Sequence, residues 1–443
     1  MTITEITESV WQLLLDEAEG LGRSTGYIQR ERKFSGSSFA QTLTGGVWSK
    51  PKLSYTHLRQ HAALSGVPVS AQGIAARFTA AGAAFMAALL ERAVQHSVAA
   101  SALQVALPIL GQFNGVYLRD SSVVQLPACL AEVWSGVGNA TGKSAAVKLQ
   151  VRLNYNSGVL EGPAVQSGRT HDRRTPYQAE DEPAGSLSLA DLGYFSLDEL
   201  QTRVQAQQYV LVRYKDGTTL YDAATGKRVE LHDWLGRQSA SQVEVQVLVG
   251  KRHRLPLRLL AERVPPAALE RRKQQLNEYA RKKQTPLTTQ RLALAEWTVI
   301  LTNVPPSMLN LDSAMLLLHV RWQVELLFKL WKSYLHIDEW RSANPWRVLC
   351  EFYAKLIVGV INQWIAQLEL WQYPDRSLFK AFQTTQIYVV PFLAALQKDR
   401  AALAEVLQAI SNLVCTVAQI NKRRCRPPTY QALAACPAPG GLT

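Results

Sequence analysis

The stretch Arg321-Trp-Gln-Val-Glu-Leu-Leu-Phe-Lys-Leu-Trp-Lys332 decides how this sequence is interpreted. At about 100° per residue, an α-helix over this stretch gathers Arg321, Glu325, Lys329 and Lys332 into one narrow polar stripe. Most of the remaining circumference is apolar, so the pattern predicts a largely buried helix. A charged stripe on such a helix is expected to face a cleft or a ligand, which makes Glu325 a candidate for chemistry. A structural Glu325–Lys329 ion pair is the alternative, but it leaves the surrounding aromatic residues unexplained.

Two further carboxylates follow from strand patterns. Alternating apolar residues predict a strand from Val116 to Leu126 and place Asp120 on its apolar face. Asp191 ends a second predicted strand, and strand-terminal acids often line a cleft. Three carboxylates from two strands and a helix suit two Mg²⁺ or Mn²⁺ ions, which are hard cations that take oxygen ligands. The pattern therefore indicates phosphoryl-transfer chemistry.

The positive charge of the chain is concentrated between residues 251 and 291. The 443 residues include 48 Lys or Arg and 35 Asp or Glu, a net charge of +13 that favours polyanionic partners. Twelve Lys or Arg against three Glu give the 251–291 segment a net charge of +9. It contains a predicted basic helix with Arg271, Arg272 and Lys273, as is typical of a surface that follows nucleic-acid phosphates. A solvated basic helix is the alternative, and a smaller basic cluster lies at 422–426.

Composition excludes several classes of protein. A hydrophobic fraction of 47% and a charged fraction of 19% rule out a disordered tail and a collagen-like fibre. The five cysteines are odd in number and lack CxxC spacing, so we expect a reducing cytoplasm rather than a disulfide framework or a zinc site. The acidic N-terminus does not look like a signal peptide, and the longest uncharged stretch is interrupted by polar residues and proline. No membrane partner is expected.

Secondary-structure signals divide the chain into five ranges. The first contains a helix-turn-helix-like arrangement near residues 55–78, for which an ordinary helical hairpin is the alternative. The predicted ranges are a helical DNA-binding domain (1–112), the first part of an α/β core (113–214), a β-rich basic insertion (215–303), the second part of the core with the signature helix (304–345), and a C-terminal helical region with a tail (346–443).

The spacing Arg321-x3-Glu325-x6-Lys332 resembles the signature of DDE transposases of bacterial insertion-sequence family four, Tyr-x2-Arg-x3-Glu-x6-Lys. The segments Asp120-Ser-Ser-Val-Val-Gln-Leu-Pro and Asp191-Leu-Gly-Tyr-Phe also resemble that family. The resemblance implies an α/β fold with an RNase H-like mixed-sheet core, interrupted by a β-rich insertion and flanked by N-terminal and C-terminal helices. It further implies that Asp120, Asp191 and Glu325 are catalytic ligands of two Mg²⁺ or Mn²⁺ ions.

The same resemblance implies cut-and-paste transposition. The N-terminal helices would bind terminal inverted repeats, and the acidic triad would cleave at their ends and join the 3′-hydroxyl to target DNA, in a synaptic homodimer. Arg321 and Lys332 would hold phosphates. Some relatives stack a flipped base on a tryptophan near the position of Trp297, and a second one matches Trp322. A core role for Trp297 is the alternative.

Leu318 stands where the family signature has tyrosine. That departure favours a second hypothesis, a catalytically inactive transposase repurposed as a DNA-binding protein. The retained acids, together with Arg321 and Lys332, argue against it. A third hypothesis, an RNase H-like nuclease without strand transfer, shares the same metal-binding carboxylates.

Overall fold

The computed structural model describes residues 2–30, 33–96, 107–138, 144–369, 375–421 and 429–436. The basic cluster at 422–426 therefore lies outside the described residues. The protein folds into two compact units, and each is assembled from separate stretches of the chain. The first unit comprises Met1–Ala106, Asp120–Thr170 and Gln323–Gln431, and the second comprises Leu107–Arg119, His171–Trp322 and Ala432–Thr443.

The helices and strands alternate in blocks, as expected for a mixed α/β protein. The helices are α1 (Ile3–Trp11), α2 (Ala18–Ser24), α3 (Gly36–Ser49), α4 (Tyr55–Leu64), α5 (Ala71–Ala75), α6 (Ala80–Gln95), α7 (Leu197–Gln205), α8 (Leu231–Gly236), α9 (Pro266–Lys283), α10 (Thr289–Ala295), α11 (Leu311–Val320), α12 (Trp322–Tyr334), α13 (Pro345–Glu369), α14 (Leu378–Ile387), α15 (Val389–Leu396), α16 (Arg400–Val417) and α17 (Thr429–Ala434). The strands are β1 (Val116–Leu126), β2 (Ala145–Asn154), β3 (Leu160–Ser167), β4 (Leu187–Ala190), β5 (Tyr209–Arg213), β6 (Leu220–Asp222), β7 (Arg228–Val229), β8 (Gln242–Val249), β9 (Leu255–Arg263) and β10 (Trp297–Thr302).

Helices predominate in the first unit, which includes α1–α6 and α13–α16. A π-helical segment, Gln12–Glu17, links α1 to α2. Ser70 is the N-cap of α5, because its hydroxyl accepts a hydrogen bond from the Gly73 backbone N–H. By length and composition, two helical stretches are able to cross a membrane, namely Pro345–Leu368 and Arg400–Val417. The apolar stretch within Pro345–Leu368 is entirely buried inside the protein, which is the environment of a core helix.

Strand β1 belongs to both units. In the first unit β2 lies between β3 and β1, and β2 pairs with β3 in antiparallel fashion. The turn between them places Gly158 at a φ of +75°, which glycine adopts without a steric penalty. In the second unit the order is β1-β4-β5-β10-β9-β8-β6-β7, with β4 parallel to both β1 and β5 and the later pairs antiparallel. The mixed α/β fold class is thus confirmed.

One hydrophobic cluster joins β5, β6, β8, β9 and β10 of the second unit. It includes Leu200 on α7 and Val210 on β5, and also Leu220 on β6, Leu257 on β9 and Leu301 on β10. Strand β10 pairs directly with β5, so residues on both sides of the predicted boundary at 215 share one core. The five predicted domain ranges remain predictions.

Candidate active site

Asp120 lies in the middle of β1, where the strand changes from fully buried to partly exposed. The apolar face predicted for this strand is present, since Val116, Leu118 and Val124 are buried. Asp120 is half-buried on that face, and its Oδ1 accepts a hydrogen bond of 2.8 Å from the Ser121 backbone N–H. This bond orients one of the two carboxylate oxygens.

Asp191 directly follows β4 and is more accessible. Its extended backbone leads into a 3₁₀ turn, Leu192–Tyr194, and its side chain is 49% exposed. The guanidinium of Arg321 lies 4.0 Å from its Oδ1, measured from Nη2. Asp191 is therefore an accessible carboxylate beside a largely covered guanidinium.

The predicted signature helix is confirmed as α12, although it begins one residue later than the polar stripe. Arg321 lies in the turn between α11 and α12, in right-handed helical conformation. Glu325 is half-buried in the first turn of α12, where the helix dipole favours negative charge. Lys329 is exposed and Lys332 is half-buried, while residues such as Trp331 form the buried face. The helix thus has the mixture of buried and polar faces that its sequence predicts.

The predicted site residues divide between the two units. Asp120, Glu325, Lys329 and Lys332 belong to the first unit, whereas Asp191, Arg321, Trp297 and Trp322 belong to the second. Within the described parts of the chain, no three His, Cys, Asp or Glu side chains are grouped so that they could hold a metal ion. The chemistry of the predicted donor set, three carboxylates, nevertheless fits hard divalent cations such as Mg²⁺.

The two predicted base-stacking tryptophans differ sharply in accessibility. Trp322 is 45% exposed at the start of α12. Trp297 is 4% exposed on β10, belongs to the hydrophobic cluster of the second unit, and has the guanidinium of Arg263 4.5 Å above its ring. Trp322 is thus accessible to solvent, whereas Trp297 has the environment of a core residue. Leu318 is also buried, on α11.

The basic helix is confirmed as α9, but its cations are used differently. Arg271 is exposed, and Lys273 lies 4.0 Å from Glu270 in an (i, i+3) pair. Arg272 instead packs onto β10, where its guanidinium donates to the Trp297 carbonyl at 3.1 Å and to Thr298 Oγ1 at 2.8 Å. Burial, with the nearby charge of Arg213, lowers the pKa of Arg272. Arg272 is therefore an anchor for α9.

An open basic cleft in the second unit was missed by the sequence reasoning. Its volume is about 570 Å³, and its walls come from residues 173, 195–198, 215–219 and 250–253. Arg173, Lys215, Lys251 and Arg252 contribute cations, and Asp198 and Asp216 contribute anions. These segments are far apart in sequence, so no local motif reveals the cleft. The sequence marks only the turns that line the cleft, through Gly217 and Gly250, which both adopt a positive φ.

Comparison with known proteins points to one family. A family model described as "Transposase DDE domain" matches residues 112–361. The chain is 27% identical over 362 residues to the transposase for insertion sequence element IS231F of Bacillus thuringiensis subsp. israelensis, covering 76% of this chain and 75% of that protein. It is 26% identical over 425 residues to the transposase for element IS231C of Bacillus thuringiensis subsp. berliner, covering 89% and 87%.

A solved structure is also similar at low identity. It is the cryo-EM structure of the piggyBac transposase synaptic complex with hairpin DNA, at 9% sequence identity and a TM-score of 0.43. The match covers 93% of this chain and 85% of that one.

Proposed function

Because this chain belongs to the transposase DDE domain family, we propose that Asp120, Asp191 and Glu325 are its catalytic carboxylates. The chain is a DDE transposase of an insertion sequence, an enzyme that cleaves DNA and transfers strands. The observation that carries the assignment is placement. All three acids lie inside the matched range, on the first strand, directly after the fourth strand, and in the first turn of α12. Each is half-buried or exposed, and so remains accessible to a ligand.

DDE transposases generally use divalent metal ions, and the three carboxylates fit that requirement as oxygen donors. We assign Asp120, Asp191 and Glu325 as the residues that would hold two Mg²⁺ or Mn²⁺ ions. When bound, such ions lower the pKa of the attacking water or 3′-hydroxyl and stabilise the leaving oxygen. The protein's own part is to orient the carboxylates. The Ser121 N–H donates to Asp120 Oδ1, and the Arg321 guanidinium lies 4.0 Å from Asp191 Oδ1.

Cations and one aromatic ring near these acids would bind the DNA. Arg321 offers a planar fork suited to a phosphate, and Lys329 and Lys332 extend the positive charge along α12. Trp322 is the better placed of the two tryptophans for base stacking, because it is exposed. The solvent-facing cations of α9, including Arg271 and Lys273, and those of the basic cleft supply further phosphate contacts.

The positions of two acids in the sheet support an RNase H-like core. Asp120 lies on the first strand, β1, and Asp191 directly follows the fourth strand, β4. We assign end recognition to the helical range 1–112, DNA contact to the range 215–303, and cut-and-paste transposition to a synaptic homodimer. The enzyme would act on its terminal inverted repeats and on target DNA in the bacterial cytoplasm.

Isosteric variants of the acids test the catalytic assignment. Asp120→Asn and Glu325→Gln should each slow Mg²⁺-dependent cleavage of DNA carrying the element's ends by at least about 100-fold, equivalent to about 2.7 kcal/mol of activation free energy. Binding of the same DNA should persist, because neither change removes a cation. Glu405→Gln, an exposed acid on α16, is the matched control and should cleave normally. Unchanged cleavage by Asp120→Asn or Glu325→Gln would overturn the assignment.

The repurposed DNA-binding protein is the second candidate, and Leu318 is the observation that favours it. Leu318 is buried among apolar residues of α11, so the departure from tyrosine is accommodated as core packing. Metal-dependent nicking of end-containing DNA by the unmodified protein decides between the two functions. Strand transfer from precleaved ends then separates a transposase from a nuclease that shares the same carboxylates.

A further inference from the structure

A buried guanidinium lies beside the segment that carries Asp191. Arg119 is the last residue of β1 inside the second unit, and its side chain is 4% exposed. Here β1 runs parallel to β4, with Arg119 opposite Ala190, the residue before Asp191. A buried cation without a compensating partner is very unstable, so Arg119 requires anionic partners in its surroundings.

An alternating chain of charges surrounds Arg119. Its Nη2 lies 2.5 Å from Glu199 Oε1, and the same oxygen accepts a hydrogen bond of 3.0 Å from Arg203 Nε. Arg203 in turn donates two hydrogen bonds to Glu182, at 2.5 and 3.1 Å. Two cations and two anions thus neutralise one another, and Arg119 is the end of this network that lies nearest the Asp191 segment.

Arg119 also contacts that segment on both sides of Asp191. Three residues before it, Ser188 Oγ lies 3.5 Å from Arg119 Nη2. Three residues after it, the ring of Tyr194 lies beneath the guanidinium, with 5.4 Å between its centroid and Cζ. Tyr194 ends the 3₁₀ turn, and its N–H donates to the Asp191 carbonyl at 2.9 Å. One rigid, planar side chain therefore braces the strand end and the turn between which Asp191 is held.

We propose that Arg119 is a positioning residue for the Asp191 carboxylate. It acts through Ser188 and Tyr194, while the ion pair with Glu199 keeps its guanidinium in place. The proposal rests on the proposed function, since it assumes that the orientation of Asp191 matters for DNA cleavage. It assigns Arg119 no contact with DNA.

A matched set of variants separates positioning from charge pairing. Glu199→Gln removes the negative charge but keeps an amide oxygen at the position of Glu199 Oε1, which can still accept a hydrogen bond from Arg119 and so keep the guanidinium against Tyr194 and Ser188. Arg119→Met with Glu199→Gln removes both charges, and so avoids a stranded buried ion. We expect the single Glu199→Gln variant to cleave within about threefold of the unmodified rate. The double variant should lose about 10- to 100-fold in the cleavage rate at saturating DNA, because small misplacements of a reacting group have effects of that size.

DNA affinity and stability of the variants are measured alongside cleavage. The Kd for end-containing DNA should be similar in the single and double variants, so that the difference between them lies in the cleavage step. The unfolding midpoint should be lower for Glu199→Gln than for the double variant, because the single change leaves the buried Arg119 cation without its anion. Cleavage is therefore assayed under conditions in which both variants are folded. Arg119→Lys with Glu199 intact should cleave faster than the double variant but more slowly than the unmodified protein, since lysine keeps the charge without the planar fork. If the double variant cleaves as well as Glu199→Gln, Arg119 only neutralises buried charge and the proposal is wrong. Asp191→Asn is assayed in parallel, and full cleavage by that variant means that the proposed function has failed instead.

Discussion

The second unit uses its arginines in two opposite ways. In α9, which the structure describes throughout, no residue is buried, and cations such as Arg271 and Arg281 face solvent. Arg119 and Arg203 are buried and paired with Glu199 and Glu182. The formal charge of each arginine is the same. The exposed arginines are available to displace counterions from DNA. The buried arginines are neutralised by carboxylates and contribute to the stability of the fold instead.

The same contrast occurs between neighbours on one helix. Arg271 faces solvent, but Arg272 is anchored on the Trp297 carbonyl and Thr298 of β10. A net charge of +9 for the segment 251–291 therefore overstates the positive charge that DNA can reach. The location of each guanidinium, and not the count, determines its role.

The largest change in the free energy of unfolding is expected for the buried arginine Arg203. Arg203→Met leaves Glu182 without its bidentate partner in a fully buried position, which should lower the free energy of unfolding by about 3–5 kcal/mol. Denaturant unfolding measures this loss. The matched exposed change, Arg281→Met on α9, should stay within about 0.5 kcal/mol of the unmodified protein. Adding Glu182→Met to Arg203→Met should restore much of the loss, and a small effect of Arg203→Met alone would contradict the stabilising role of the network.

A buried lysine in the first unit extends the comparison to pH. Lys355 on α13 is 0% exposed, and its Nζ donates to the backbone carbonyls of His336 and Glu339 at 2.9 and 3.1 Å. Burial lowers its pKa to about 8, against roughly 10.4 in an unfolded chain. Between these values the unfolded chain binds more protons, so this group makes the free energy of unfolding increase as pH rises.

We therefore expect the difference in free energy of unfolding between the unmodified protein and Lys355→Met to depend on pH. The unmodified protein should gain up to about 3 kcal/mol relative to the variant between pH 8 and 10.4, at about 1.36 kcal/mol per pH unit. Subtracting the variant removes the titration of all other groups. Lys283 is an exposed residue at the end of α9, so the free energy of unfolding of Lys283→Met should differ from that of the unmodified protein by an amount that does not change with pH. A constant difference for Lys355→Met as well would mean that Lys355 has an ordinary pKa.

Local patterns predicted the elements well. The bounds of β1 are those predicted, because the alternation of apolar and polar residues is a property of a few consecutive residues. Strand β9 was missed, since its residues were interpreted as part of a basic segment. One of those residues, Arg258, is buried and bonds to Glu244 and to the carbonyls of Val304 and Leu309. Partners so distant in sequence leave no local signal.

The elements that carry the three acids were predictable to a similar extent, and the catalytic role of the acids remains a prediction. The three acids came from residue patterns and a family spacing, and the structure places them on the expected strand, strand end and helix. Accessibility was not predictable, because it depends on long-range packing. Nothing in the local sequence shows that Trp322 is exposed and Trp297 is buried, or that Arg272 turns inward. The basic cleft is assembled from distant segments for the same reason.

The smallest effects concern the two neighbouring arginines of α9. Arg271→Gln should leave the free energy of unfolding within about 0.5 kcal/mol, because the side chain is exposed. If it contacts a phosphate, the slope of log K against log salt should become shallower by about 0.9. Arg272→Gln should do the reverse, lowering the free energy of unfolding by about 1–3 kcal/mol because it removes donors from partly buried acceptors.

Titrating end-containing DNA at several salt concentrations measures both variants under one protocol. A change in the salt slope for Arg271→Gln, together with a constant slope for Arg272→Gln, would confirm that only the exposed arginine binds DNA. A changed slope for Arg272→Gln with unaffected stability would contradict this, because that result requires the Arg272 guanidinium to leave the Trp297 carbonyl and reach the DNA. The carbonyl of a strand residue in the core would then have lost its partner at no cost, contrary to the penalty expected for an unpaired buried acceptor. Two adjacent arginines on one helix therefore test whether burial, rather than formal charge, decides which cations bind DNA.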